Sequence, residues 1–120
     1  MRRSPEEIAA IARAKARLDT LGLYPSPVRV GRVRILLTPR LFRLPWFRRF
    51  HGYTMWPLIL LKRPLVDVSD DLIVHELCHV WQMQHHPLAM PLSFLTRGYA
   101  RNPYELEARD AVVRTSSAST

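Results

Sequence analysis

Asp70-Asp71-Leu72-Ile73-Val74-His75-Glu76-Leu77-Cys78-His79-Val80-Trp81-Gln82-Met83-Gln84-His85 is the stretch that decides the fold. Two acids near its start suit the helix dipole, and Pro87 bars its continuation. The reading is a helix from about Ser69 or Asp70 to about His85. Val74, Leu77, Cys78 and Trp81 surround the histidines with apolar side chains, so this helix is expected to be buried. Residues four apart share a helical face, and His75 and His79 can therefore reach one metal ion. With Glu76 they form the pattern H-E-x-x-H. A chain of 120 residues with five His and five Glu produces that pattern by chance about 0.008 times. The competing reading is a pair of core histidines with an incidental Glu, but an unpaired carboxylate beside two buried imidazoles is costly. Glu76 is placed to take a proton from a metal-activated water and hand it to a leaving amine. Two neutral His, one further ligand and a water make a catalytic rather than a structural zinc site.

On the N-terminal side, Ser4, Pro5 and Glu7 read as cap, first position and capping-box acid of a helix. Ile8, Ile11, Ala12, Leu18 and Leu21 supply its apolar stripe and Gly22 its stop. Residues 28–35 alternate apolar and basic, which predicts a strand with one buried and one cationic face, or two short strands broken at Gly31. Residues 38–51 read as irregular, and 58–63 as a buried strand closed by Pro64. Residues 88–100 read as a short helix or loop. Asn102-Pro103-Tyr104-Glu105 opens a last helix to about Arg114, leaving 115–120 as a disordered tail. The fold class expected is α+β. It is a small single domain over 1–114, with a short antiparallel or mixed sheet packed against the His-bearing helix and the C-terminal helix.

Composition sets the bounds. A single Cys, Cys78, rules out an internal disulfide framework and a Cys-based zinc knuckle, and reads as a small core residue. No stretch approaches the roughly 20 apolar residues of a membrane span. The N-terminus has no secretory apolar region, so a cytoplasmic location is expected, with signal-independent export left open. The net charge is +8, and nine of the 18 cations lie in an acid-free gap between Asp19 and Asp67. Seven of the ten acids fall between Asp67 and Asp110, around the histidines. A charge of this size suggests nucleic acid, an anionic membrane surface or an acidic protein as partner. The Arg-rich segment 29–63, with Phe42, Trp46, Phe47, Phe50 and Tyr53 interleaved, is the candidate anionic-partner surface. Its alternative is a solvated cationic strand face over aromatic core residues.

Two helical acids compete for the third ligand position, Glu105 and Glu107, about 200° apart on the last helix. Over residues 55–114 the sequence resembles the gluzincin zinc metallopeptidases, specifically their smallest members, and bacterial stand-alone metalloprotease-like domains. His75-Glu76-x-x-His79 and Glu105-x-x-Ala108 carry the resemblance. It implies one Zn2+ held by His75, His79 and Glu105, with Glu76 as general base in peptide-bond hydrolysis. It also implies a small Ala108 that lets two helices approach, and a protein or peptide substrate added as a strand to a sheet edge near 58–63. Lys62 and Arg63 there would favour acidic segments. The sequence departs from the family at Arg109, where an acid is usual, which makes Asp110 the candidate replacement brace. His75, His79 and His85 stand at metzincin separations, but Gln82 replaces the glycine those proteins need, so His85 and His86 read as helix-end residues. Tyr99 and Tyr104 are the candidate oxyanion donors. A zinc-containing binding or scaffold module without turnover, and a nucleic-acid-associated metalloprotein using 29–63, are the alternative functions.

Overall fold

Helix α1 (Pro5–Asp19) starts where Ser4 Oγ accepts the Glu7 N–H at 3.1 Å, and it buries Ala10, Ile11, Ala14 and Leu18. The computed structural model describes residues 3–116. Glu7 does not close a capping box. Its carboxylate leaves the helix and accepts from Arg34 Nε at 3.1 Å and from the Ile35 N–H at 2.8 Å, tying α1 to the first strand. The helix stops at Asp19, three residues before Gly22, which adopts a positive φ of 59° in the turn beyond.

Strands β1 (Arg34–Leu37), β2 (Gly52–Met55) and β3 (Leu58–Leu61) form a mixed sheet in the order β1-β3-β2. β1 runs parallel to β3, and β2 antiparallel to it. The sheet corrects three expectations. The strand expected over 28–35 is present only from Arg34. Val28 and Val33 are buried as the alternation requires, but the backbone of Arg29 pairs with the Gln84 amide, at 2.9 Å through its N–H and 2.7 Å through its carbonyl. A turn closed by Val33 N–H to Val30 O at 3.1 Å then resets the chain direction. The strand expected over 58–63 ends at Leu61 and is central, so it is not the edge that could accept a substrate strand. The free edge near the histidines belongs to β2, in residues 52–57 that sequence reading left unassigned between the irregular 38–51 and the strand at 58–63.

Helix α2 (Asp70–His85) is capped by Ser69 Oγ, which accepts the Leu72 N–H at 3.2 Å. α1 and α4 (Pro103–Thr115) pack against it, and β2 lies over it. Trp81 anchors the core, 1% exposed, with its indole N–H donated to Ser26 O at 2.8 Å. Residues 89–97 form a true helix, α3 (Ala89–Arg97). α4 runs one residue past the expected end: Thr115 closes it, donating to Ala111 O at 2.7 Å, and so is not part of the tail. Residues 117–120 of that tail lie outside the described residues. No helix among the described residues is long and apolar enough to cross a membrane. Among the described residues the fold is α+β, with three short strands and three further α-helices arranged around α2.

Candidate metal centre

His75 and His79 leave α2 on one face, as their spacing requires, and α4 crosses it where Ala108, fully buried, allows close approach. Asn102 caps α4 by accepting the Tyr104 N–H at 2.8 Å and the Glu105 N–H at 3.4 Å. Glu105 does not reach back to its cap. Its Oε1 lies 3.1 Å from His75 Nε2 and 3.0 Å from His79 Nε2, and the carboxylate is 2% exposed. Arg109 fills the place of the expected acid differently, donating from Nε to Glu105 Oε2 at 2.8 Å. Asp110 faces out and pairs with Arg114 at 3.7 Å, so it braces no ligand.

The other candidates are placed elsewhere. Glu107 accepts the Tyr24 phenol proton and a Gln82 Nε2 proton, the latter at 3.0 Å. His85 stacks on Tyr24 with ring centres 4.9 Å apart and bonds Ser26 O at 3.2 Å. Tyr104 packs beside His86 at 5.9 Å, away from the cluster. Cys78 is fully buried, and that burial pushes its thiol pKa well up, as suits an inert core residue. Tyr99 alone of the two tyrosines faces the site. Burial, then the charges of Glu105 and Glu76 and a hydrogen bond to Glu105, keep its phenol protonated.

Gln82 settles the proton arrangement. It is fully buried, and its Nε2 faces two acceptors, Tyr104 O at 2.8 Å and Glu107 Oε1 at 3.0 Å, so that end must be the NH2. Its Oε1 therefore faces His79 Nδ1 at 2.8 Å and must accept a proton from it. Neutral His79 then has a bare Nε2 aimed at Glu105 Oε1. A lone pair and a carboxylate oxygen 3.0 Å apart repel unless a positive charge stands between them. The titration behaviour says the same: burial works against a charged His79, but the hydrogen bond to Glu105 and the charge of Glu76 outweigh it and raise its proton affinity. Burial likewise works against ionised Glu105, yet the hydrogen bonds and charges of His75 and His79 hold its carboxyl well below the usual range.

These donors suit a small divalent cation. His75, His79 and Glu105 offer two imidazole nitrogens and one carboxylate oxygen within 4.8 Å of one another. Arms of about 2.0–2.1 Å in a tetrahedron give edges of roughly 3.3 Å, close to the nitrogen-to-oxygen separations seen. Beside them Glu76, 3% exposed, has Oε1 2.7 Å from Thr54 Oγ1 on β2. Gly52 on the same strand lies against it: a Cβ there would make ordinary van der Waals contact, 3.4 Å from Glu76 Cγ and 3.5 Å from Oε2. Two clefts of about 720 and 450 Å³ open on either side of Glu76 and share Arg49, Phe50 and Tyr99 as their dividing wall. The three residues expected as ligands lie together with Glu76 beside them; sequence reading passed over Thr54 and Gly52, and read Gln82 only as the residue standing where a glycine would let the chain leave the helix. Gln82 carried a usable signal, an amide three positions after His79 set among the apolar residues Val80, Trp81 and Met83.

No protein-family model, curated protein or solved structure matches the chain.

Proposed function

We propose that the chain is a zinc-dependent peptidase in which His75, His79 and Glu105 hold one Zn2+ and Glu76 is the general base. The observation that supports it most is the convergence of three lone-pair donors on one point beside a separately anchored carboxylate. Zinc bound there would supply Lewis acidity, polarising a carbonyl and lowering the pKa of a water. Glu76 uses Oε2, the oxygen not engaged by Thr54, to take a proton from the attacking water and pass it to the departing amine nitrogen. Tyr99 donates its phenol proton to the developing oxyanion.

The edge of β2 positions the substrate. Lys62 N–H bonds His51 O at 3.1 Å, and antiparallel alternation then turns Tyr53 and Met55 toward β3 and the backbone groups of Gly52 and Thr54 outward. An extended peptide adds to those free groups as a further strand, which places one of its carbonyls against Glu76. Such binding reads main chain, so broad sequence tolerance is expected.

The test uses untagged protein. One zinc per chain is expected, lost in the double variant His75→Ala/His79→Ala. Glu76→Gln should keep zinc and lower peptide-library cleavage by about 10²–10⁴-fold. Equal cleavage by that variant refutes the role of Glu76. A second reading, a zinc-bearing binding module without turnover, is favoured by one contact: the Phe50 and Tyr99 rings meet at 4.8 Å across the mouth of the site, with Arg49 laid over both. Zinc-loaded wild type that binds peptides and cleaves none would select it.

A further inference from the structure

Helix α3 sends only Met90 fully into the interior. Leu88, Leu92 and Leu95, four and three residues apart, form a stripe on the other side that is 81%, 57% and 83% exposed. Trp46, 67% exposed, stands across the smaller cleft from Pro91, Phe94 and Leu95, so α3 and the loop before β2 make one continuous surface. No acid occurs in residues 20–66 or 77–104, the two segments that build this surface. They carry Arg40, Arg43, Arg48, Arg49, Arg97 and Arg101, all exposed, and none of these makes an ion pair among the described residues.

We propose that this face docks on the surface of an anionic lipid bilayer. α3 lies in the membrane plane with its leucine stripe and Trp46 at the boundary between headgroups and acyl chains, and the arginines meet headgroup phosphates. An apolar stripe on a short helix, an indole beside it and a rim of one charge sign are what such a surface requires. At 9 residues α3 spans only about 14 Å, which suits lying on a bilayer rather than crossing it. Charge selects this occupant over the others. Nucleic acid would take the arginines and leave four large apolar side chains in water. A second copy through the same face would set six unpaired arginines against six more. The inference needs no metal at the His75–His79–Glu105 cluster and stands apart from the peptidase reading.

The experiment is flotation of the full chain with vesicles of phosphatidylcholine alone and of phosphatidylcholine and phosphatidylglycerol in equal parts. Binding to the anionic vesicles is expected to be at least about tenfold tighter and to weaken with salt. Tryptophan emission should shift to the blue on binding in a Trp56→Phe background, and adding Trp46→Phe should remove most of that shift, because the remaining Trp81 is already buried. Leu92→Asp/Leu95→Asp should lower partitioning at least about tenfold with unchanged circular dichroism and melting temperature, since both side chains are already in water. Arg97→Gln/Arg101→Gln should reduce the preference for anionic vesicles. No binding to either vesicle at low salt overturns the proposal, as does binding that the leucine double variant leaves unchanged. Sedimentation showing a dimer that only the leucine changes dissolve, with no vesicle binding, also overturns it in favour of self-association.

Discussion

Replacing Gln82 by Leu tests how the metal cluster is held. The two side chains are similar in size, and position 82 is fully buried, so packing changes little. Three hydrogen bonds are lost: one from His79 Nδ1 at 2.8 Å, one to Tyr104 O at 2.8 Å and one to Glu107 Oε1 at 3.0 Å. Glu107 keeps the Tyr24 proton and Tyr104 O keeps its place in α4, so the fully orphaned group is His79 Nδ1–H. One buried unsatisfied donor costs about 1–3 kcal/mol, and the two weakened acceptors bring the total to about 2–4 kcal/mol. For a domain of this size that lowers the melting temperature by roughly 6–15 °C. The second consequence is specific to the metal. Without Gln82 the neutral imidazole is free to move its proton to Nε2, where Glu105 Oε1 accepts it, and that tautomer cannot bind a cation. Zinc affinity should fall about 10–100-fold. Chelator competition measures the affinity, and urea unfolding of the metal-free protein measures the stability. A variant that still folds and binds zinc within about twofold of wild type would show that Gln82 is packing alone, and the tautomer argument would fail.

Thr54→Val keeps shape and removes the hydroxyl 2.7 Å from Glu76 Oε1, so zinc content should be unchanged while kcat falls about tenfold, read from single-turnover cleavage. Glu7→Ala removes the carboxylate that accepts from Arg34 Nε and from the Ile35 N–H, and should destabilise by about 2–4 kcal/mol in urea titration without changing zinc stoichiometry. Metal uptake should release a proton from His79, whose proton affinity is raised, and none from Glu105, which is already ionised. Zinc affinity should therefore rise with pH up to the His79 pKa, with His79 contributing about one released proton per ion on the acid side, measured by calorimetry in two buffers. In the metal-free protein the sign reverses. The His79 contribution to stability is present below the usual imidazole pKa and lost as pH rises through the raised one. The Glu105 contribution is present above the usual carboxylate pKa and lost in strong acid.

The parts legible in the sequence were those with short-range periodicity. Spacing of four put His75 and His79 on one face, the Ser4 and Asn102 caps marked two helix starts because capping is a contact within one turn, and two acids marked the start of α2. The sheet was harder. Residues 28–33 alternate apolar and basic about Gly31 and bury Val28 and Val33, yet they pair with no strand: the backbone of Arg29 bonds a side chain, Gln84, 55 residues on, and Val30 O accepts the Val33 N–H. β2 is four residues with a glycine at its head, too short for any period to show. The place of β3 in the centre depends on which neighbours hydrogen-bond it, a property of the assembled sheet. Glu105 and Glu107 could be distinguished only by the crossing of α4 over α2. Each acid found a partner on a different side: two imidazoles for one, Tyr24 and Gln82 for the other.

That division explains how so few residues can support a buried polar cluster. α2 carries two imidazoles and a carboxylate, and the carboxylate is held from a different side than the imidazoles. β2 holds Glu76 through Thr54, and α4 holds both imidazoles through Glu105. The turn after α1 reaches His79 at third hand, through Tyr24, Glu107 and Gln82. Arg109 fixes the far oxygen of Glu105, so the near oxygen cannot swing away from the histidines. An acid at position 109, one helical turn on from Glu105, would repel its carboxylate. A cation there instead orients it and, half exposed, lies on the wall of the larger cleft, where an incoming acidic segment would meet it. Arg109→Ala should thus loosen Glu105 and lower zinc affinity, whereas Arg109→Lys should restore part of it as a single donor without the fork of a guanidinium. If both variants bind zinc as wild type does, Glu105 is held by the histidines alone and the ion pair is incidental.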